Sequence, residues 1–112
     1  MRKNVHDSVL TAIGNTPVIK LNKLTGPNDA TVYVKLEFMN PGGAIKDRMA
    51  LHIVNKAEKD GRLKPGGTII ENTSGNTGIA LAMIAAVRGY KSIFTMPDKM
   101  SSEKVNRLKG MG

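Results

Sequence analysis

The chain has 112 residues, a formal net charge of +8 and no cysteine. That length fits one domain able to bury a core without disulfide or metal staples, and the missing cysteine excludes a disulfide framework, a thiolate nucleophile and a Cys-based zinc site. Lys and Arg are spread from Arg2 to Lys109 with no run of four, and only Tyr33, Tyr90, Phe38 and Phe94 are aromatic, which suits small anionic ligands or an acidic partner better than nucleic acid.

In chain order, the turn Gly14-Asn15-Thr16-Pro17 leads into a weak strand at 18–21, and Val32-Tyr33-Val34-Lys35-Leu36 reads as a firmer strand, rich in β-branched and aromatic residues. Thr25 to Asp29 between them is a surface loop. From Asp47 to Lys59 the residues Met49, Ala50, Ile53, Val54 and Ala57 recur at helical spacing, so an amphipathic helix is expected, ended by Asp60-Gly61. Lys64-Pro65-Gly66-Gly67 makes a turn into a short strand at 68–71. The segment 77–88 is apolar almost all round, which predicts a buried helix closed by Gly89. A strand at 91–96 and a last helix from about Ser101 or Ser102, with Glu103 in its first turn, complete the order.

The longest wholly apolar run, Ile79 to Val87, is far shorter than the ~20 residues of a membrane span, and no signal peptide precedes it. A cytoplasmic protein with no membrane partner is expected. His6 and His52 are far apart and lack ligand spacing, so no metal site is expected. Alternation of strands and helices is the mark of βαβ units, hence an α/β, three-layer domain around a parallel sheet. Ligands of such sheets gather at the carboxyl ends of strands, and two unusual runs follow expected strands.

The first run is Asn40-Pro41-Gly42-Gly43-Ala44-Ile45-Lys46-Asp47-Arg48. A lysine near a helix N-terminus is mildly disfavoured by the helix dipole, so Lys46 asks for a reason. The same field, with Arg48 nearby and partial burial, would favour the neutral amine that a Schiff base needs. Gly42 and Gly43 would let a flat ring approach the backbone, and Asp47 and Arg48 read as a local ion pair. The second run, Thr73-Ser74-Gly75-Asn76-Thr77-Gly78, joins a strand to a helix. Turn and cap roles explain one or two such residues, but two glycines and four side-chain donors suit a carboxylate or phosphate cradle. Neither a Walker loop nor a dinucleotide fingerprint is present.

Together these runs resemble the signature of the cysteine synthase and cystathionine β-synthase family, pyridoxal-phosphate enzymes of the tryptophan-synthase-β fold type (fold-type II). Ile13-Gly14-Asn15-Thr16-Pro17 and Met96-Pro97-Asp98-Lys99-Met100-Ser101-Ser102-Glu103-Lys104 match as well, so the resemblance runs from about Val9 to Gly112. The Ser101–Val105 run and the Leu63–Gly66 turn lean toward the cystathionine β-synthase branch. The resemblance implies that Lys46 binds pyridoxal 5'-phosphate covalently and acts as general base at the substrate α-carbon. It implies that Asn76 bonds the cofactor's ring hydroxyl, and that Thr73, Ser74, Gly75 and Thr77 hold the substrate carboxylate. The reaction implied is β-replacement on serine or an O-activated serine by sulfide or homocysteine, a lyase or transferase activity of cysteine biosynthesis and transsulfuration.

The family is also longer than this chain. Residues 1–112 are therefore expected to be the small, lysine-bearing N-terminal domain, without the C-terminal domain that carries the glycine-rich phosphate cup, and the full-length form is expected to be a homodimer. The alternative is a non-catalytic α/β module that binds anions or a partner chain and is inactive without a C-terminal half.

Overall fold

The computed structural model describes residues 4–73, 75–99 and 101–112. After a short 3-10 helix at Val9–Ala12 come β1 (Val18–Lys20) and β2 (Tyr33–Lys35), then a second 3-10 helix at Glu37–Met39. The rest alternates: α1 (Lys46–Lys59), β3 (Thr68–Asn72), α2 (Asn76–Arg88), β4 (Lys91–Thr95) and α3 (Ser102–Lys109). The fold is mixed α/β with a parallel pair, β3 beside β4 in the register Ile70↔Ile93, linked through α2 as a βαβ unit.

One expectation is corrected. The strand before the Lys46 run is not part of that parallel sheet. β2 instead pairs antiparallel with β1, Val18 opposite Lys35 and Lys20 opposite Tyr33, as a separate two-stranded ribbon whose residues are all exposed. Alternation of strand and helix along the chain cannot distinguish a hairpin with a long connection from a crossover, and here the ribbon closes on itself across the 21–32 segment.

The core is built on α2. Its run from Gly78 to Ala85 is buried throughout, because no polar side chain interrupts the apolar surface and neighbours cover it on several sides. Ala80, Leu81, Met83 and Ile84 pack with Ala50 and Val54 of α1 and with Leu10. On another side Ile79 and Ala82 meet Leu108 of α3, joined by Phe94 and Met96. Each large apolar side chain buried there stabilises the fold by roughly 1.5–3 kcal/mol. Gly89 ends the helix in the left-handed conformation, and the N–H of Tyr90 bonds the carbonyl of Ala85 at 2.9 Å.

α1 is tied to α2 at its far end as well. Arg88 donates to Glu58 at 2.9 Å and to Asn55 at 2.7 Å, and the Tyr90 hydroxyl donates to Glu58 at 2.6 Å. The turn before β3 forms as the sequence predicts: Gly66 takes a φ of 73° after Pro65, and the Gly67 N–H bonds the Lys64 carbonyl. One face of the β3–β4 pair packs on α2 through Ile69 and Phe94. The other carries Ile70 and Ile93, 67% and 53% exposed. No described helix is long and apolar enough to cross a membrane.

Candidate active site

Lys46 is the first residue of α1, and the loop that delivers it is held from inside. The Gly43 N–H bonds the Asn40 carbonyl at 2.8 Å, closing a turn through Pro41 and Gly42, and Gly43 itself has a φ of 87°, a conformation that favours glycine. Asp47 turns inward. Its side chain is 1% exposed, and one carboxylate oxygen accepts the buried Gly42 N–H while the other, Oδ1, has no partner among the described residues. Burial pushes the Asp47 carboxyl above its usual range, against the pull of the Gly42 N–H and the charge of Arg107. A Cβ on Gly42 would collide with this carboxylate. Gly42 is thus required by a side chain of the chain itself, and the expected approach of a flat ring is not what excludes a larger residue. From α3, Arg107 donates to the Gly42 carbonyl at 3.0 Å and pins the same turn.

Arg48 points elsewhere. Its guanidinium grips Glu37 with two bonds, 2.8 Å from Nε and 3.0 Å from Nη2, and reaches the Thr16 hydroxyl at 3.2 Å. The expected Asp47–Arg48 ion pair is not formed, since Arg48 is engaged by Glu37 and Thr16 instead. The expected partial burial is not found either: Lys46 is exposed. The Glu37 carboxylate also accepts from the Thr16 hydroxyl and from Asn40 Nδ2. These contacts, led by the Arg48 hydrogen bond, lower its pKa to about 2. Asn40 Oδ1 in turn accepts the Gly14 N–H at 2.8 Å, so the Gly14–Pro17 turn is stitched to the Lys46 loop.

At the start of α2, Thr73 performs the cap. Its buried hydroxyl oxygen accepts the Gly78 N–H at 2.9 Å and the Gly75 N–H at 3.3 Å. Gly78 has no room for a Cβ, which would strike Thr73 Cγ2. No acceptor among the described residues meets the backbone N–H of Asn76 or Thr77, and Gly75 supplies no side-chain cap. Those N–H groups lie at the positive end of the helix dipole, where an anion is stabilised.

The two runs meet in one cleft of about 310 Å³ lined by Lys46, Glu71, Asn72, Thr73, Gly75, Asn76 and Thr77. Five of the six residues expected to form the site are therefore together, while Ser74 lies outside the described residues. Asn76 is exposed and its carboxamide bonds no described residue. A larger, more apolar groove of about 650 Å³ runs between α1 and β3 and includes Thr77 but not Lys46; size alone does not pick out the chemistry. Among the described residues no group of three His, Asp or Glu is placed to hold a metal ion. Thr16 and Asn40 lie in the quoted runs but were given no role there, and Glu37 and Arg107, which also support the loop, stand out in no motif. The one signal that could have drawn attention is Asn-Pro at 40–41, a turn initiator whose side chain seeks backbone partners.

The sequence matches the family described as "Pyridoxal-phosphate dependent enzyme" over residues 9–112. Among curated relatives, "Cysteine synthase" of Staphylococcus aureus (strain Mu50) is 56% identical over 106 residues, which is 95% of this chain and 34% of that protein. "Cystathionine beta-synthase" of Apis mellifera is 58% identical over 106 residues, 93% of this chain and 21% of that protein. A crystal structure of O-ureido-L-serine synthase superposes with a TM-score of 0.90 at 49% identity, covering 96% of this chain and 34% of the other. The chain thus spans about a third or less of the length of the relatives it matches. With that match over residues 9–112 and a fold this close to those of its relatives, the chain is a member of the pyridoxal-phosphate dependent enzyme family.

Proposed function

We propose that this chain carries the lysine-bearing portion of an enzyme that performs β-replacement on serine or an O-activated serine, with a sulfur nucleophile, to give cysteine or cystathionine. The observation that carries the reading is the shared cleft, which an exposed primary amine lines together with a helix start whose Asn76 and Thr77 N–H groups meet no acceptor among the described residues. Names of relatives support the substrate class, since they speak of cysteine, cystathionine and O-ureido-L-serine synthesis. Cysteine synthase and cystathionine beta-synthase relatives match at 56% and 58% identity, so the leaning toward cystathionine rests on the Ser101–Val105 and Leu63–Gly66 runs alone.

The donor set fits pyridoxal phosphate. An amine suits its aldehyde, a carboxamide that bonds no described residue suits its ring hydroxyl, and cation and amides suit an anion. When bound, the cofactor supplies an electron sink for charge developing at the amino acid's α-carbon. Lys46 Nζ would hold the cofactor's aldehyde carbon and would serve as base for the α-proton. Asn76, in the first turn of α2, would bond the ring hydroxyl.

Carboxylate binding falls to Thr73, Ser74, Gly75 and Thr77. Thr73 has a defined part in it. Its oxygen already accepts two backbone N–H groups, so its hydroxyl proton is what remains to donate toward the cleft. The N–H of Thr77 and the end of the helix dipole add to the same field.

The test is the visible absorption spectrum of the protein with added pyridoxal phosphate, beside Lys46→Ala. A Lys46-dependent band that shifts when serine or O-acetylserine is added is the expected result. A band that is the same in both proteins contradicts the assignment of Lys46.

A further inference from the structure

The first turn of α1 has no side-chain cap: its N-cap is Ile45. Helix starts without caps fray, and a frayed start would let Lys46 swing. Something else must fix the rotation of that turn. Two side chains next to Lys46 are anchored, and in different directions. Asp47 is buried against Gly42. Arg48 is locked to Glu37 by a bidentate pair and to Thr16 by a third bond.

Successive residues of a helix are turned by about 100°, so Arg48 projects about 200° from Lys46, nearly the opposite side. We infer that Glu37 and Arg48 are positioning residues: their bond, with Thr16 and Asn40 completing it, sets the rotation of the first turn of α1 and so aims the Lys46 amine into the cleft. Glu37 is the hub. Oε1 accepts from Thr16 Oγ1 at 2.5 Å and Arg48 Nη2 at 3.0 Å, and Oε2 accepts from Arg48 Nε at 2.8 Å and Asn40 Nδ2 at 2.9 Å. Four donors saturate the carboxylate and come from three stretches of chain, at Thr16, Asn40 and Arg48. Bidentate geometry matters here, because a planar fork fixes direction as well as distance and a lysine ammonium does not.

The hub also works on the other end of the loop. Asn40, held by the Glu37 carboxylate and the Glu37 carbonyl, accepts from Gly14 and provides the carbonyl that closes the Gly43 turn. Both ends of the Asn40–Lys46 loop are therefore referred to one carboxylate. Gly14 has its own constraint, since a Cβ there would lie 3.0 Å from Arg48 Nη1.

The inference rests on the proposed role of Lys46 for its importance, but it is tested separately. Amide hydrogen exchange is measured on the chain, on Glu37→Gln, on Arg48→Lys and on Arg88→Ala. The last breaks the Arg88 bonds to Glu58 and Asn55, at the far end of the same helix pair. Exchange at Gly43, Asp47 and Arg48 is expected to quicken about tenfold in Glu37→Gln and Arg48→Lys and to stay unchanged in Arg88→Ala, with the α2 interior protected in all. Glu37→Gln, close in shape to the parent, covers the case in which Arg48→Lys unfolds.

A second readout follows the amine itself. Borohydride is used to fix added pyridoxal phosphate on lysines, and the share found on Lys46 is expected to fall in the first two variants only. Loop exchange equal to the parent's, or equal acceleration in Arg88→Ala, overturns the inference. If the parent itself places no excess of cofactor on Lys46, the functional proposal fails, and the exchange result still decides the positioning role.

Discussion

Gly78→Ala should destabilise a helix that alanine normally favours. Position 78 lies inside α2, where replacing Gly by Ala gains up to about 1 kcal/mol of helix propensity. Against that, the new Cβ would strike Thr73 Cγ2 and lie 3.2 Å from Thr73 Oγ1. Thr73 is 6% exposed and cannot swing outward without opening the packing around it. Overpacking of this kind costs about 1–3 kcal/mol. Displacing Thr73 also loosens the cap bonds to Gly75 and Gly78, worth about 1 kcal/mol together. The net loss is about 2 kcal/mol, or a fall in Tm of about 10 °C for a domain of this size. Thermal and urea unfolding followed by circular dichroism gives the value. A double-mutant cycle isolates the cause: Thr73→Ser removes Cγ2 and keeps the capping oxygen, so Gly78→Ala made in that background should recover much of the loss. A stable Gly78→Ala, or a double variant with no recovery, would refute the collision as the reason for glycine at 78.

Two carboxylates that brace the Lys46 loop give opposite pH dependences. Glu37 has its pKa lowered from 4.5 to about 2, so its contribution is present above 4.5 and is lost as pH falls through about 2; Glu37→Gln should flatten acid unfolding in that window. Asp47 is raised by burial, so it favours the fold below its ordinary 3.8 and weighs against it as pH rises from there. Asp47→Asn should remove that slope in urea unfolding measured from pH 3.5 upward. In the core, Ile84 is fully buried, and Ile84→Val should cost about 0.5–1.5 kcal/mol by the same assay, with no change in cofactor capture. Arg88→Ala, at a partly exposed ion pair, should cost no more than about 1 kcal/mol, and less in high salt.

The elements with the strongest local signals were legible from the residues. An uninterrupted apolar run can only be a buried segment, and α2 begins and ends within a residue of where composition and Gly89 put it. The Pro65-Gly66 turn and the amphipathic α1 follow local rules in the same way. Pairing was not legible. β1 and β2 are three residues each, all exposed, with no alternation to reveal a partner, and their antiparallel pairing depends on contacts 13 to 17 positions apart. The site divides along the same line. Lys46 and the Thr73–Thr77 turn stand out as chemistry in glycine-rich surroundings, whereas Glu37 looks like any surface glutamate until Arg48, Thr16 and Asn40 are folded onto it. Thr73 shows a third case: it lines the cleft as expected, but its oxygen is engaged as a helix cap, a use that residue type alone left open.

The central claim is that Lys46 is the cofactor lysine, and the most direct measurement maps where the cofactor goes. The chain is mixed with a slight excess of pyridoxal phosphate, reduced with borohydride, digested, and its lysine peptides are quantified by mass spectrometry. Dominant modification of Lys46, competed by phosphate or by an amino-acid carboxylate held at the start of α2, is the predicted result. Modification spread over the lysines in proportion to their exposure, with Lys46 no different from the rest, would contradict it.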